Sequence, residues 1–192
     1  MTWVAAVWEP DSDAIDRAGA DREVMVRTAI PDQGFYANPA QFEAVVIGSD
    51  AADIPSVLAF GRRVWAWSVT ETVPREGTER CAVAMVSLMR RHPDITPAGF
   101  ARHWTERHAP LALRRHIGLH DYHQYVVTDT LSPDTPEIDG IALLGFRTRA
   151  DFDERFFDSD SGRDEIMADV ARFMDRPGRE TTLVGPPEAA AR

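Results

Sequence analysis

The hydrophobic pattern of this chain spells the same order of elements twice, β-α-β-β-α-β, and that repeat constrains its fold more than any single motif. In the first pass Thr2 to Trp8 alternates as a strand, and Asp11 or Ser12 can cap a short helix through Ile15 that Gly19 limits. Val24 to Ile30 is rich in β-branched residues and stops at Pro31, and Phe42 to Ile47 is a second apolar run bounded by Gly48 and Asp50. A loop containing Gly34, Tyr36 and Asn38 joins these two strands. Asp53 to Phe60 carries the Ile54, Val57, Leu58 spacing of a short helix ended by Gly61, and Val64 to Val73 alternates strongly before Pro74.

Beyond a charged linker, Pro74 to Arg80, the order returns. Ala82 to Leu88 reads as a strand, Pro97 to Arg115 as mainly helical, and Tyr122 to Thr128 and Ile141 to Phe146 as two further strands. Thr148, with Asp151 three residues on, makes a capping arrangement for the next helix. After a break at Asp158 to Gly162, the spacing Ile166, Met167, Val170, Phe173, Met174 gives an amphipathic helix that Pro177 stops, and Thr181 to Val184 closes the set.

The fold class is therefore α+β, with tandem ferredoxin-like units over residues 1–75 and 80–187 and a tail at 188–192. Each unit has a four-stranded antiparallel sheet with two helices on one face, so its bare face must be buried. Packing the two sheets within one chain does this, and so does pairing with a second chain across a two-fold axis. Open sheets with apolar faces do not stay in water, so a homodimer is expected.

Composition narrows the function. With 44% hydrophobic residues and no apolar run approaching about 18 residues, the pattern is that of a soluble globular protein. Met1 is followed by Thr2, Trp3 and Val4 without a basic n-region, which reads as cytoplasmic. A net charge of −10 disfavours nucleic acid or an anionic membrane as partner and suits a hydrophobic small molecule. Cys81 is the only cysteine, which excludes an internal disulfide and multi-thiolate sites, and its place at the head of an apolar strand reads as a small buried hydrophobe. Every basic residue is arginine, so Schiff-base, pyridoxal-phosphate and Walker-type chemistry is impossible. Gly-x-Ser-x-Gly and Gly-x-Gly-x-x-Gly are also missing.

All six histidines fall between positions 92 and 123. Imidazole titrates near neutrality, so such clustering points to acid/base work in one pocket. On a helix from Pro97, Phe100, Trp104 and Leu111 lie within about 40° of one another and mark the buried face, with His103 and His108 about 60° to either side. The spacing of five between these histidines is poor for a shared metal, and no metal site is expected. His103 can instead donate to a backbone carbonyl and lock the helix. His108 precedes Ala109-Pro110, where the helix must bend or end and a pocket can open. In the strand after Asp121, Tyr122 and Gln124 face one way and His123 and Tyr125 the other. His92, in a loop before Pro93, and His116, after Arg114-Arg115, read as surface residues, whereas His120 stays undecided. Trp65, Trp67 and Val69 share a strand face that serves as packing or as an aromatic wall for a ligand. Asp158, Asp160, Asp164 and Glu165 flank a helix start and read as structural.

The stretch Arg90 to Tyr122 combines an arginine-rich strand end, a Pro97-x-x-Phe100-x-x-His103-Trp104 helix, a His108-Ala109-Pro110-Leu111 exit and a Gly118-Leu119-x-x-Tyr122 entry to the next strand. It resembles the EthD family, and with Asp139 to Phe173 the resemblance covers about Cys81 to Pro187. The first half lacks this signature, although Val64 to Glu71 is similar to strands of that family. The resemblance implies a dimeric α+β barrel, in a superfamily that includes polyketide cyclases, cofactor-free oxygenases, lactone isomerases and haem-binding enzymes. The expected activity is cofactor-free acid/base chemistry of lyase, cyclase or isomerase type on a hydrophobic carbonyl-bearing or aromatic, polyketide-like molecule. The alternatives are a haem-dependent or cofactor-free oxidative enzyme and a non-catalytic binding protein. His108 is the expected principal base and Tyr122, which matches the family's tyrosine, a hydrogen-bond donor. His103 and His123 are further catalytic candidates, and Trp104, Phe100, Tyr125 and Trp67 are candidate substrate contacts.

Overall fold

Both faces of the central strands are apolar, and the structure shows why: one face looks into a barrel and the other lies under helices. The computed structural model describes residues 1–14, 16, 25–30, 42–176 and 179–186. Its strands are β1 (Thr2–Pro10), β2 (Met25–Ala29), β3 (Ala44–Gly48), β4 (Gly61–Arg75), β5 (Val83–Met89), β6 (Asp121–Thr130), β7 (Gly140–Phe146) and β8 (Glu180–Gly185). The helices are α1 (Ile54–Val57), α2 (Pro97–His103), a π-helical turn (Trp104–His108), α3 (Ala109–Arg115), α4 (Arg149–Arg155) and α5 (Asp160–Phe173). The helical start at Ser12 is held by Asp11, whose Oδ1 accepts from the Ala14 N–H at 2.8 Å. The expected limits at Gly19, Val24, Pro31 and Pro177, and the loop through Gly34, Tyr36 and Asn38, lie outside the described residues.

The sheet closes in the order β1-β3-β2-β8-β5-β7-β6-β4. Each half keeps the ferredoxin-like order, β4-β1-β3-β2 and β6-β7-β5-β8, with its first and third strands central. The halves then join at both edges, β4 to β6 and β2 to β8. The barrel thus closes within one chain, and the uncovered sheet faces from which a homodimer is expected do not arise. β4 continues to Arg75 past the expected stop at Val73, because a register shift between Thr72 and Arg75 accommodates Pro74 in the ladder.

Alternate strand residues divide three buried clusters. Val4, Trp8, Trp67, Val86, Tyr125 and Leu143 are among those filling the barrel. Trp3, Val7, Val46 and Val57 pack outside the first half. Met85, Phe100, Trp104, Tyr122, Leu144 and Phe173 belong to the layer between the second sheet and α2–α5. α5 ends at Phe173 rather than running on to Pro177, because Met174 takes extended dihedrals and bridges Arg91.

Candidate active site

The Pro97 helix begins with Thr96, whose side chain accepts from the Gly99 N–H, and Pro97 sits in the first turn, where its missing N–H costs nothing. A second proline, Pro110, falls in the helix interior, where its ring would clash with the carbonyl four residues back. The helix neither ends nor breaks there. It widens over Trp104–His108, with the Ala109 N–H bonded to the Trp104 carbonyl five residues earlier, and resumes as α3. This five-residue register brings His103 and His108, which an α-helical wheel separates, onto one carboxylate.

That carboxylate is Asp169 of α5. His103 Nε2 lies 2.9 Å from Asp169 Oδ1, and His108 Nδ1 lies 2.9 Å from Asp169 Oδ2. Burial alone would raise the Asp169 carboxyl, but the hydrogen bonds from His108 and His103 outweigh it and hold the group below its ordinary value. An ionised carboxylate only accepts, so each of these ring nitrogens carries hydrogen, and neutral His108 is left with a bare Nε2. Sequence reasoning missed Asp169, although a signal existed: with Ile166, Val170 and Phe173 it falls on the buried stripe of its helix.

Tyr122 enters from β6. Its hydroxyl oxygen accepts from Trp104 Nε1 at 3.1 Å and from Gln124 Nε2 at 2.8 Å. Gln124 Nε2 also donates to the Trp104 carbonyl at 3.1 Å, which fixes the amide orientation. With both lone pairs engaged, Tyr122 offers its O–H hydrogen outward. Burial pushes its pKa up to about 12, against smaller opposing effects of the Gln124 and Trp104 hydrogen bonds, so the hydroxyl stays protonated. Gly140 on β7 makes room for this cluster, since a Cβ there would lie 2.6 Å from Trp104 Cζ3.

His108, Tyr122 and Trp104 line one cavity of about 250 Å³ between the second sheet and its helices, with Met85, Phe157 and Val170 among its apolar walls. His116 lines it too, and is 3% exposed, which corrects the surface placement expected from its neighbouring arginines. The chain turns at Gly118, where a Cβ would meet the Asp151 carbonyl at 2.4 Å. This close approach of α4 carries Phe156 and Phe157 over the imidazole, at 4.6 and 5.0 Å between ring centroids.

The remaining candidates lie elsewhere. Phe100 is behind the cavity wall, 5.5 Å from Trp104 and 5.7 Å from Phe173 between centroids. His103 stacks on Phe173 and reaches the site only through Asp169. Tyr125 and Trp67 point into the barrel, across the sheet from the cavity, so they are corrected as substrate contacts of this site. The two-residue strand period puts His123 on that far side as well. It bonds Glu71 of β4 at 2.7 Å and Asp121 at 3.2 Å, bridging the seam between the halves. His92 accepts from the Asp94 N–H at 3.3 Å and lies 3.6 Å from the Asp94 carboxylate, His120 accepts from the Glu79 N–H at 3.3 Å, and Cys81 is buried with its thiol pushed up to about 11 by burial. Asp158 and Glu165 both hold Arg115.

A closed α+β barrel of two ferredoxin-like units, with a buried carboxylate–imidazole pair in one helical layer, defines the class of this protein. Residues 92–177 match the model of the EthD domain, which places the likeness in the second half of the chain. No curated protein matches the chain. Among solved structures, an anthrone oxidase-like protein is 9% identical, covering 96% of this chain and 90% of that one with a TM-score of 0.59. A major regulator of staphylococcal pathogenesis is 11% identical, covering 97% and 99%, with a TM-score of 0.57. A protein named as a candidate monooxygenase from Fusobacterium nucleatum is 8% identical, covering 96% and 91%, with a TM-score of 0.56. At such identities the likeness is one of fold.

Proposed function

We propose that the protein is a cofactor-free acid/base enzyme that moves a proton on a hydrophobic, carbonyl-bearing small molecule. The observation that carries this reading is the His108 ring, held through Nδ1 by buried Asp169, in a cavity with mainly apolar walls that Tyr122 also lines. His108 Nε2 takes a proton from the carbon next to the carbonyl, and the Asp169 carboxylate stabilises the imidazolium that forms. The Tyr122 O–H donates to the carbonyl oxygen as negative charge gathers there. Return of the proton at another carbon isomerises the substrate, loss of a leaving group dehydrates it, and internal attack cyclises it.

A second reading, cofactor-free oxidation, draws support from fold neighbours named as an anthrone oxidase-like protein and a candidate monooxygenase. The same carbanion, formed between the apolar walls of the cavity, would then react with dioxygen. One experiment addresses both: hydrophobic ketones and aromatic polyols are screened by thermal shift, and each hit is incubated with enzyme in deuterated water. NMR should show deuterium entering next to the carbonyl, with the exchange rate falling at least about 10²-fold in His108→Ala. An unchanged rate in that variant would remove His108 as the base. Enzyme-dependent oxygen uptake in a parallel electrode assay would favour the oxidative reading.

A further inference from the structure

His116 was expected at the surface, and the proposed proton transfer does not use it, yet it is a buried imidazole on the cavity wall. Its Nδ1 lies 2.6 Å from the Phe156 carbonyl oxygen. A carbonyl only accepts, so the ring hydrogen sits on Nδ1 and Nε2 carries a bare lone pair. Phe156 and Phe157 pack on the ring from the segment that follows α4, and the backbone N–H of His116 is bonded to the Ala112 carbonyl at 2.8 Å, so the ring is clamped. Burial pushes its pKa down to about 4, against a smaller upward effect of the Phe156 carbonyl, so near neutrality it acts as an acceptor.

The cavity therefore offers an outward hydrogen from Tyr122 and bare lone pairs from His108 and His116. A ligand made only of acceptors would leave the His116 nitrogen buried and unpartnered, which is unfavourable. Among the described residues, the lining holds no carboxylate to pair an ammonium ligand. A neutral hydroxyl satisfies the nitrogen without a charge to compensate, and the apolar walls suit an aromatic frame.

We propose that His116 is a specificity-determining residue and that the preferred ligand class is a hydroxylated aromatic ketone. Its keto oxygen is held by Tyr122, and its phenolic or enolic hydroxyl, set away from the ketone, donates to His116 Nε2. This rests on the acid/base reading of the same cavity and adds the substrate class to it.

The test is calorimetric binding of three probes at neutral pH: 1-tetralone, 6-hydroxy-1-tetralone and 2-naphthoate. The wild-type protein should bind the hydroxy-ketone at least about tenfold more tightly than the plain ketone, as one good hydrogen bond to a buried acceptor allows. His116→Phe should bring the two ketones to within about twofold of each other by weakening only the hydroxylated one. Tyr122→Phe should weaken both. His116→Gln, whose amide keeps a donor for Phe156 and an acceptor, should retain part of the preference and guards against loss of folding in the phenylalanine variant. Equal affinities of the two ketones in wild type, an undiminished preference in His116→Phe, or tightest binding by 2-naphthoate would each overturn the proposal. Binding needs no turnover, so a protein that prefers the hydroxy-ketone but exchanges no deuterium would sink the acid/base reading while leaving His116 as the reader of the hydroxyl.

Discussion

Asp169 holds His108 by a single hydrogen bond, Oδ2 to Nδ1 at 2.9 Å, and this bond decides which ring nitrogen of His108 carries hydrogen. The same carboxylate holds His103 through its other oxygen, so one residue of α5 orients two residues of the neighbouring helix. Asp169→Asn replaces an acceptor-only group by an amide that presents hydrogen to one of the two imidazoles. Deuterium exchange should therefore fall by about 10²- to 10⁴-fold in this variant, with the circular dichroism spectrum preserved. Exchange at the wild-type rate would show that the tautomer of His108 does not matter to the chemistry.

One buried histidine and one partly buried histidine give the stability profile opposite slopes. The folded-state pKa of His116 is depressed from 6.5 to about 4 by burial, so its contribution is present above about pH 6.5 and is lost as the pH falls toward 4, an effect of about 3 kcal/mol. For His123, burial lowers the pKa, but hydrogen bonds donated to Asp121 and Glu71 outweigh it and raise the group above 6.5. Its contribution is present below about pH 6.5 and is lost as the pH rises through the raised value. Urea unfolding at stepped pH should show the acid limb flattened in His116→Phe and the alkaline limb flattened in His123→Gln. Unchanged limbs would remove these residues as the titrating groups.

Much of the fold is legible in the sequence because strands buried on both faces read as apolar runs with clear ends, as β5 and β7 do. Closure within one chain is not legible, since the pairing of β4 with β6 is a match of backbone edges that no residue type marks. The site is half legible. His108 and Tyr122 stand out by position, but each face of β6 carries a tyrosine beside a polar residue, Gln124 on one and His123 on the other, so the period alone cannot choose between Tyr122 and Tyr125. The meeting of His103 and His108 depends on one extra residue in a helical turn, for which Pro110 is the trace. His116 depends on a tertiary approach at Gly118 that its arginine neighbours conceal.

Separating the halves should expose what closure hides. A fragment of residues 80–187 keeps α2–α5 but uncovers the edges of β6 and β8 and the barrel faces of Val86, Tyr125 and Leu143. Such edges and faces associate in water. Light scattering should find the fragment as a dimer or larger, whereas a monomeric, folded fragment would show that the barrel interior contributes little to its stability.

Gly140 sits where the sheet touches Trp104. In Gly140→Ala the new methyl would lie 2.6 Å from Trp104 Cζ3 and 3.1 Å from Phe100 Cε1, and neither ring can retreat from its buried stack. Overpacking of this kind costs about 1–3 kcal/mol, and a displaced indole withdraws its N–H from Tyr122. Thermal unfolding should drop accordingly, and Trp fluorescence should shift. A variant as stable as wild type would mean that the Trp104 wall yields more easily than its packing implies.

Tyr122→Phe tests the donor side of the site, and its effects on folding and on chemistry can be separated. The hydroxyl accepts from Trp104 Nε1 and Gln124 Nε2, so its removal strands two buried N–H groups, at about 1–3 kcal/mol each. It also removes the only hydrogen in the cluster that points away from its own partners. Gln124→Leu provides the control: it takes away one of the two donors and leaves the Tyr122 hydroxyl in place beside Trp104. Both variants should lose stability in urea, while exchange next to the ligand carbonyl should fall by about 10²-fold or more only in Tyr122→Phe. Equal losses of exchange in the two variants would make Tyr122 a packing residue of the cavity wall and leave His108 to act without a partner at the oxygen.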